Sequence, residues 1–137
     1  DAFILKFDNT GTRLWATYYG GNNDEYHYIL TYDNITIDAS DNVYISFETR
    51  SNIITTLNSD SICGYMDSIY GGYWDCFITK FTNTGVLLWA SYIGGTSNDF
   101  RTPLSVDNAG NLFMGGEFTR YTNSSSLPTL FNFELSF

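Results

Sequence analysis

Residues 1–21 read DAFILKFDNTGTRLWATYYGG, and residues 75–95 read DCFITKFTNTGVLLWASYIGG. The two stretches align without a gap at an offset of 74, and 14 of the 21 positions are identical. The likeness resumes after the Gly-Gly pair, where residues 37–45 (IDASDNVYI) match residues 106–114 (VDNAGNLFM) at an offset of 69. The difference, 74 − 69 = 5, places a five-residue insertion in the first copy, within residues 27–36. A surface loop absorbs such an insertion at little cost. Glu25 and Asp99 fall in register, as do Glu48 and Glu117. Self-similarity of this kind marks a repeat architecture, in which each unit buries its apolar faces against its neighbours.

Within each copy, side chains alternate at period two between turn residues, which predicts strands. Ala2–Phe7 places Phe3, Leu5 and Phe7 on one face and Ala2, Ile4 and Lys6 on the other. Asn9-Thr10-Gly11 is a turn, with Gly11 supplying a positive φ, and residues 14–19 return. Residues 35–38 and 43–48 form a second hairpin around residues 39–42. The second copy repeats both hairpins with strands at 76–81, 87–93, 104–106 and 112–116. Helical periodicity is absent, so the class is all-β. Two hairpins per repeat make four antiparallel strands, and these are bulky on both faces: Trp15 and Tyr19 oppose Leu14 and Tyr18. A sheet apolar on both sides must be covered on both sides. Four-stranded sheets set side by side around an axis, as β-propeller blades, meet that requirement. A β-sandwich would want polar outer faces and leaves the tandem repeat unexplained. The expected repeat core is Phe3, Phe7, Trp15 and Tyr18, with their equivalents Phe77, Phe81, Trp89 and Tyr92.

The motif D-[AC]-F-I-x-K-F-x-N-T-G-x-x-L-W-A-[ST]-Y-x-G-G, followed by D-x-[SA]-[DG]-N-[VL]-[YF], resembles the SBBP (seven-bladed β-propeller) repeat of secreted and surface bacterial proteins, in its Bacteroidetes version. The resemblance covers nearly the whole chain. It implies a propeller fold, export to the cell surface or beyond, often a type IX sorting domain elsewhere in the parent protein, and no shared reaction. The chain departs from the pattern at the insertion, at Thr82 where the first copy has Asp8, and from Tyr121 onward.

On this reading residues 1–34 are a half blade plus the insertion loop. Residues 35–95 are a complete blade with a long connector at 50–74, and residues 96–137 are a half blade plus an irregular tail. That is about two blades' worth of strand, whereas closed propellers hold typically 4–8 blades. Asp1 in place of Met points the same way, to a segment of a longer propeller or one protomer of an assembled ring. Its partners would then be the remaining blades or copies of itself, and beyond these surface proteins or polysaccharide.

The chain has 137 residues, 43% hydrophobic and 18% aromatic, enough to bury a core. Six Lys and Arg against 15 Asp and Glu give a net charge of −9. An acidic surface repels phosphate backbones and anionic lipid, which argues against nucleic-acid and membrane partners. No apolar run approaches the roughly 20 residues of a membrane span.

The connector carries the candidate binding residues Tyr65, Asp67, Tyr70, Tyr73 and Trp74. Long connectors gather on one face of a repeat array, and Tyr and Trp offer flat, partly polar contact area for sugars or protein loops. The competing reading is a loop that packs its own aromatics over the blade edge. Cys63 and Cys76 either close a loop as a disulfide or are buried thiols, since Cys76 aligns with Ala2, a strand position. Calcium, the one cofactor the sequence suggests, would use Asp38 to Asn42 and Asp107 to Asn111, but Asp, Asn and Gly at these positions are also turn formers. Glu48, Glu117, Asp24, Glu25 and Asp99 are candidate acids for glycoside hydrolysis. Most of them recur in register, which favours a structural role over one asymmetric catalytic pair. His27, the sole histidine, lies in the inserted loop without a nucleophile elbow. The expected function is therefore a non-enzymatic extracellular scaffold or binding module, with a carbohydrate-active propeller as the alternative.

Overall fold

The computed structural model describes residues 1–26, 34–52, 73–94, 97–100 and 103–118. These residues are all-β. In chain order the strands are β1 (Ala2–Phe7), β2 (Arg13–Tyr19), β3 (Glu25–Tyr26), β4 (Ile35–Ile37), β5 (Val43–Thr49), β6 (Asp75–Phe81), β7 (Leu87–Ile93), β8 (Asp99–Phe100), β9 (Leu104–Val106), β10 (Leu112–Met114) and β11 (Glu117–Phe118). The central sheet joins β4, β5, β6 and β7 as successive antiparallel neighbours, the four-stranded blade expected from the sequence. The short β3 pairs with the far end of β5, Glu25 opposite Thr49, so the outermost strand is in two pieces. Its second-copy counterpart is also divided: β9 pairs with β10 and β8 with β11.

Four tight turns lie together at one end of the sheets, and each closes by the same local chemistry. Asp8 Oδ1 accepts the backbone N–H groups of Thr10 and Thr12, while Thr82 Oγ1 takes the same role toward Thr84 and Val86. Asp38 and Asp107 do likewise toward Ser40 and Asn42, and toward Ala109 and Asn111. Gly11, Gly85 and Gly110 sit at φ of 85°, 85° and 87°, and Asp41 at 61°. Aspartate tolerates the left-handed region better than most residues, so Gly110 and Asp41 are interchangeable turn residues.

The pleat of the central sheet sends alternate side chains to opposite faces. One face carries Val43, Ile45, Phe47, Phe77, Phe81, Ala90 and Tyr92, and against it pack Ile4, Tyr19, Ala2 and Trp15 of the β1–β2 hairpin. Tyr19 lies at the centre, with ring centroids 6.0 Å from Phe77 and 5.7 Å from Phe81. The other face carries Tyr44, Ile78, Trp89 and Ile93, and is covered by Leu104, Val106, Leu112 and Met114 of the β9–β10 hairpin. The β1–β2 hairpin, the central sheet and the β9–β10 hairpin thus lie in a row, a whole blade between two halves. Moreover, the contacts repeat. Ile4 and Ile78, 74 residues apart, each face the sheet that follows in the chain, and so do Tyr19 and Ile93.

The expected core needs one correction. Phe77, Phe81 and Tyr92 are no more than 2% exposed, but their first-copy equivalents Phe3, Phe7 and Tyr18 are 64%, 55% and 80% exposed. Trp15 and Trp89 are half-buried against the two clusters. The physical reason is position in the row. The face of β6 and β7 bearing Phe77 lies against β1–β2, whereas the corresponding face of β1–β2 has no sheet against it among the described residues.

One polar clasp fixes how adjacent sheets align. The Trp15 indole N–H donates to the Asn83 carbonyl at 2.9 Å, and Lys6 Nζ donates to the same oxygen at 3.1 Å. The indole also covers Gly85, where a Cβ would approach Trp15 to 3.0 Å. The Asn-Thr-Gly turn of one sheet is therefore the seat for the tryptophan of the sheet before it. Gly is required there twice over, for its φ and for the absence of a side chain.

Candidate functional site

Opposite the tight turns is the end where the connectors leave the sheets, and here the acidic residues gather. Glu48, Asp75 and Asp99 are buried, with Thr49 and Ser51 beside them. Glu48 and Asp99 are candidate acids from the sequence, whereas Asp75 carries no signal of its own. For Glu48, Thr49 and Asp75 burial follows from register: Thr49 pairs with Asp75 and Glu48 with Cys76, within the paired length of the central strands. The first glycine of each Gly-Gly pair makes room for them. A Cβ on Gly20 would fall 2.6 Å from Asp1 Oδ1, and one on Gly94 would fall 2.6 Å from Asp99 Oδ2 and 3.0 Å from Asp75 Oδ1. Asp1 and Asp75, Gly20 and Gly94, and Glu25 and Asp99 are each 74 apart, so the arrangement is built twice.

What these carboxylates do is clearest at Glu25. Its Oε1 accepts the Gly21 N–H and the Thr49 hydroxyl, both at 3.1 Å, and also the Ser51 hydroxyl. One carboxylate thereby joins the end of β2, the short β3 and the exit of β5. An oxygen held by three donors is a structural tie rather than a proton donor poised for a substrate. Cys76 is a buried free thiol among the same acids. Burial, and after it the charges of Asp99, Glu48 and Asp75, push its ionisation well above the usual range, which makes it inert. Its sequence partner Cys63 lies outside the described residues.

The connector itself is described only at its two roots. Tyr65, Asp67 and Tyr70 lie outside the described residues, as do His27 and the tail beyond 118. Tyr73 and Trp74 are described, and they meet Arg50. The guanidinium lies 4.1 Å from the Tyr73 ring centroid and 5.5 Å from that of Trp74. Arg50 also donates to Asp24 Oδ2 at 3.4 Å, and its backbone N–H to the Asp24 carbonyl at 2.8 Å. Cation–π contact of this kind contributes about 0.5–1 kcal/mol at exposed sites. Arg50 is thus the joint at which the connector leaves and returns, and it was not among the residues the sequence singled out. Its signal was its place at the start of a stretch ending in two aromatics. Trp74 is half-buried while Tyr73 is exposed, beside a cation and an acid.

At the opposite end Asp38, considered above for calcium, is already engaged. Asn42 Nδ2 and the Tyr44 hydroxyl donate to its Oδ2 at 2.9 and 3.2 Å, and Lys80 Nζ lies 3.3 Å away. Partial burial opposes ionisation, but donation from the Asn42 side chain, from the Asn42 and Ser40 backbone and from Lys80 outweighs it, holding the carboxyl at about 2. Among the described residues no three His, Cys, Asp or Glu side chains are grouped so as to hold a metal ion.

No family model matches the chain. In an alignment that covers 87% of its length, it is 25% identical to an uncharacterized WD repeat-containing protein of Acanthamoeba polyphaga mimivirus. It spans only a tenth of that relative's length. A WD repeat is a four-stranded propeller blade. The sequence likeness and the row of stacked antiparallel sheets therefore agree on a repeat module built from β-propeller blades.

Proposed function

We propose that the chain is a segment of an extracellular β-propeller that serves as a non-enzymatic scaffold and interaction module in a secreted or cell-surface, adhesin-like protein. The observation that supports this most is that repeat-equivalent residues serve both interfaces, Ile4, Trp15 and Tyr19 at one and Ile78, Trp89 and Ile93 at the other. Such a row is a rigid platform that holds connectors at one end. The absence of a reaction is argued from the acids. Oε1 of Glu25 is engaged in tying strands, and the Asp75–Asp99 pair repeats the Asp1–Glu25 pair, whereas catalysis by two carboxylates needs one distinct site. Export rests on the likeness of the motif to SBBP repeats.

The contact surface is the connector root around Arg50 and Tyr73, suited to protein loops or sugar rings. Screening the parent propeller on protein and glycan arrays, beside a reducing-sugar assay on the same glycans, tests the reading. Saturable binding weakened by Tyr73→Ala, without turnover, is the expected result. Turnover abolished by a single carboxylate substitution would make it a carbohydrate-active enzyme instead.

A further inference from the structure

Beyond the paired length of β3 and β5, the two segments keep running side by side. Glu25 lies opposite Thr49. Further out, the Arg50 N–H donates to the Asp24 carbonyl and the Asn23 N–H to Ser51 Oγ, both at 2.8 Å. Alternation then sorts the side chains. Glu25, Thr49 and Ser51 turn inward and bond one another. Asn22, Asp24, Arg50 and Asn52 lie on the outer face, Arg50 half-buried and the other three exposed. There they meet in two cross-strand pairs. Asn22 Nδ2 donates to Asn52 Oδ1 at 2.9 Å, and the Arg50 guanidinium lies 3.4 Å from Asp24 Oδ2. The Tyr73 ring, 58% exposed, ends the strip over Arg50.

Every member of this strip is a flat polar group or a flat ring, and donors alternate with acceptors along it. Among the described residues no hydrogen bond engages Asp24 Oδ1, an acceptor, or the Asn52 NH2, a donor. Same-face positions repeat at about 6.6 Å along a strand, close to the span of a sugar ring with its hydroxyls. A hydroxyl donates and accepts at once, so neighbouring hydroxyls of a pyranose suit such a mixed row, and its C–H face suits the Tyr73 ring. Charge narrows the class. Arg50 and Asp24 cancel, and the net charge of −9 on the chain repels anionic sugars. A protein loop would want a contact core poor in charged groups, and here a guanidinium and a carboxylate hold the centre.

We infer that this strip is a binding site for neutral, hydroxyl-rich sugar chains, with Tyr73 as the stacking platform and Asp24, Arg50 and Asn52 as the polar contacts. The inference rests on the interaction-module reading above and deepens it by naming the ligand class and the residues that select it.

Calorimetric titration of the parent propeller with neutral hexasaccharides of glucose, mannose and galactose, and with oligogalacturonate as the anionic counterpart, tests it. Saturable binding of at least one neutral chain is the expected result, with oligogalacturonate at least about tenfold weaker. Asn52→Ala and Arg50→Lys should each weaken binding about three- to tenfold, through a lost donor and a lost planar fork. Hydrogen exchange on the unaltered protein needs no variant to fold. Bound sugar should slow the amides of residues 22–24 and 50–52 and leave the tight turns at the other end unchanged. No binding of any neutral chain, equal binding of the anionic one, affinity indifferent to both variants, or protection elsewhere would overturn the inference. Two further outcomes separate the levels of failure. Protein binding weakened by Tyr73→Ala, without sugar binding, rejects the sugar site and keeps the interaction-module reading. Release of reducing ends, abolished by one carboxylate substitution, rejects both.

Discussion

The β1–β2 and β6–β7 hairpins share most of their sequence, the same turn, and the same register shift, after Lys6 in one and Lys80 in the other. Their surroundings differ. Among the described residues, β6–β7 is enclosed by sheets on both sides, while β1–β2 is enclosed on one. Phe77 is accordingly inaccessible to solvent and Phe3 largely open. In a repeat array, residue identity selects the strand and its face, but the neighbouring unit decides whether that face is interior. The same side chain is core in one copy and surface in the next.

That contrast is sharpest for paired substitutions. Phe77→Ala removes a ring packed against Phe47 and Tyr92 at centroid distances of 5.3 and 4.8 Å, and should cost about 3–5 kcal/mol by urea unfolding. Phe3→Ala, at the same repeat position, should cost less than about 1 kcal/mol under dilute conditions. Equal losses would mean the two faces are equally buried. The turns give a smaller difference. Gly11→Ala and Gly85→Ala both force alanine to a positive φ, at about 1–2 kcal/mol. Gly85→Ala also presses on the Trp15 ring, so it should lose roughly a further 1 kcal/mol, as overpacking does. If the two variants melt together, the clasp is not formed.

Acid titration compares the caps Asp38 and Asp107. The Asp38 carboxyl lies at about 2 in the fold against 3.8 unperturbed. Its contribution is therefore complete above the unfolded value and is lost as pH falls from about 4 toward 2. Solvent screening near the turn limits this to about 1 kcal/mol, and Asp38→Asn should flatten the curve in that window. The Asp107 carboxyl is also lowered, by Asn111 first, so Asp107→Asn should flatten it too. A curve unchanged by Asp38→Asn would remove the Lys80–Asp38 pairing. The mildest contrast is chemical. Peptide-resolved alkylation of the folded chain should leave Cys76 unmodified, while Ala2→Cys, at the same repeat position but half-buried, reacts at least about tenfold faster. Rapid labelling of Cys76 would contradict its enclosure by acids.

Much of the fold was legible because each repeat states its own strands. Alternation placed β1, β7 and β9 at their observed bounds, and Gly11 at its observed φ. β3 and β8 were missed since two residues carry no periodicity, although the Glu25–Asp99 register was visible. The exposure of Phe3, Phe7 and Tyr18 was not legible, because near-identical sequence cannot say which copy packs against another among the described residues. At the candidate site, Tyr73 and Trp74 were found from their residue type. Arg50 and the buried Asp75 were not, and Glu48 was found only as a repeated acid, since long-range register brings them together.

The central claim is that each face of the middle sheet is covered by a different hairpin. Aromatic and methyl NOEs from β6 read this directly. Phe77 and Phe81 should show contacts to Tyr19, and Ile78 to Leu104, without exchange between the two sets. Contacts from both hairpins to the same side of β6 would contradict it.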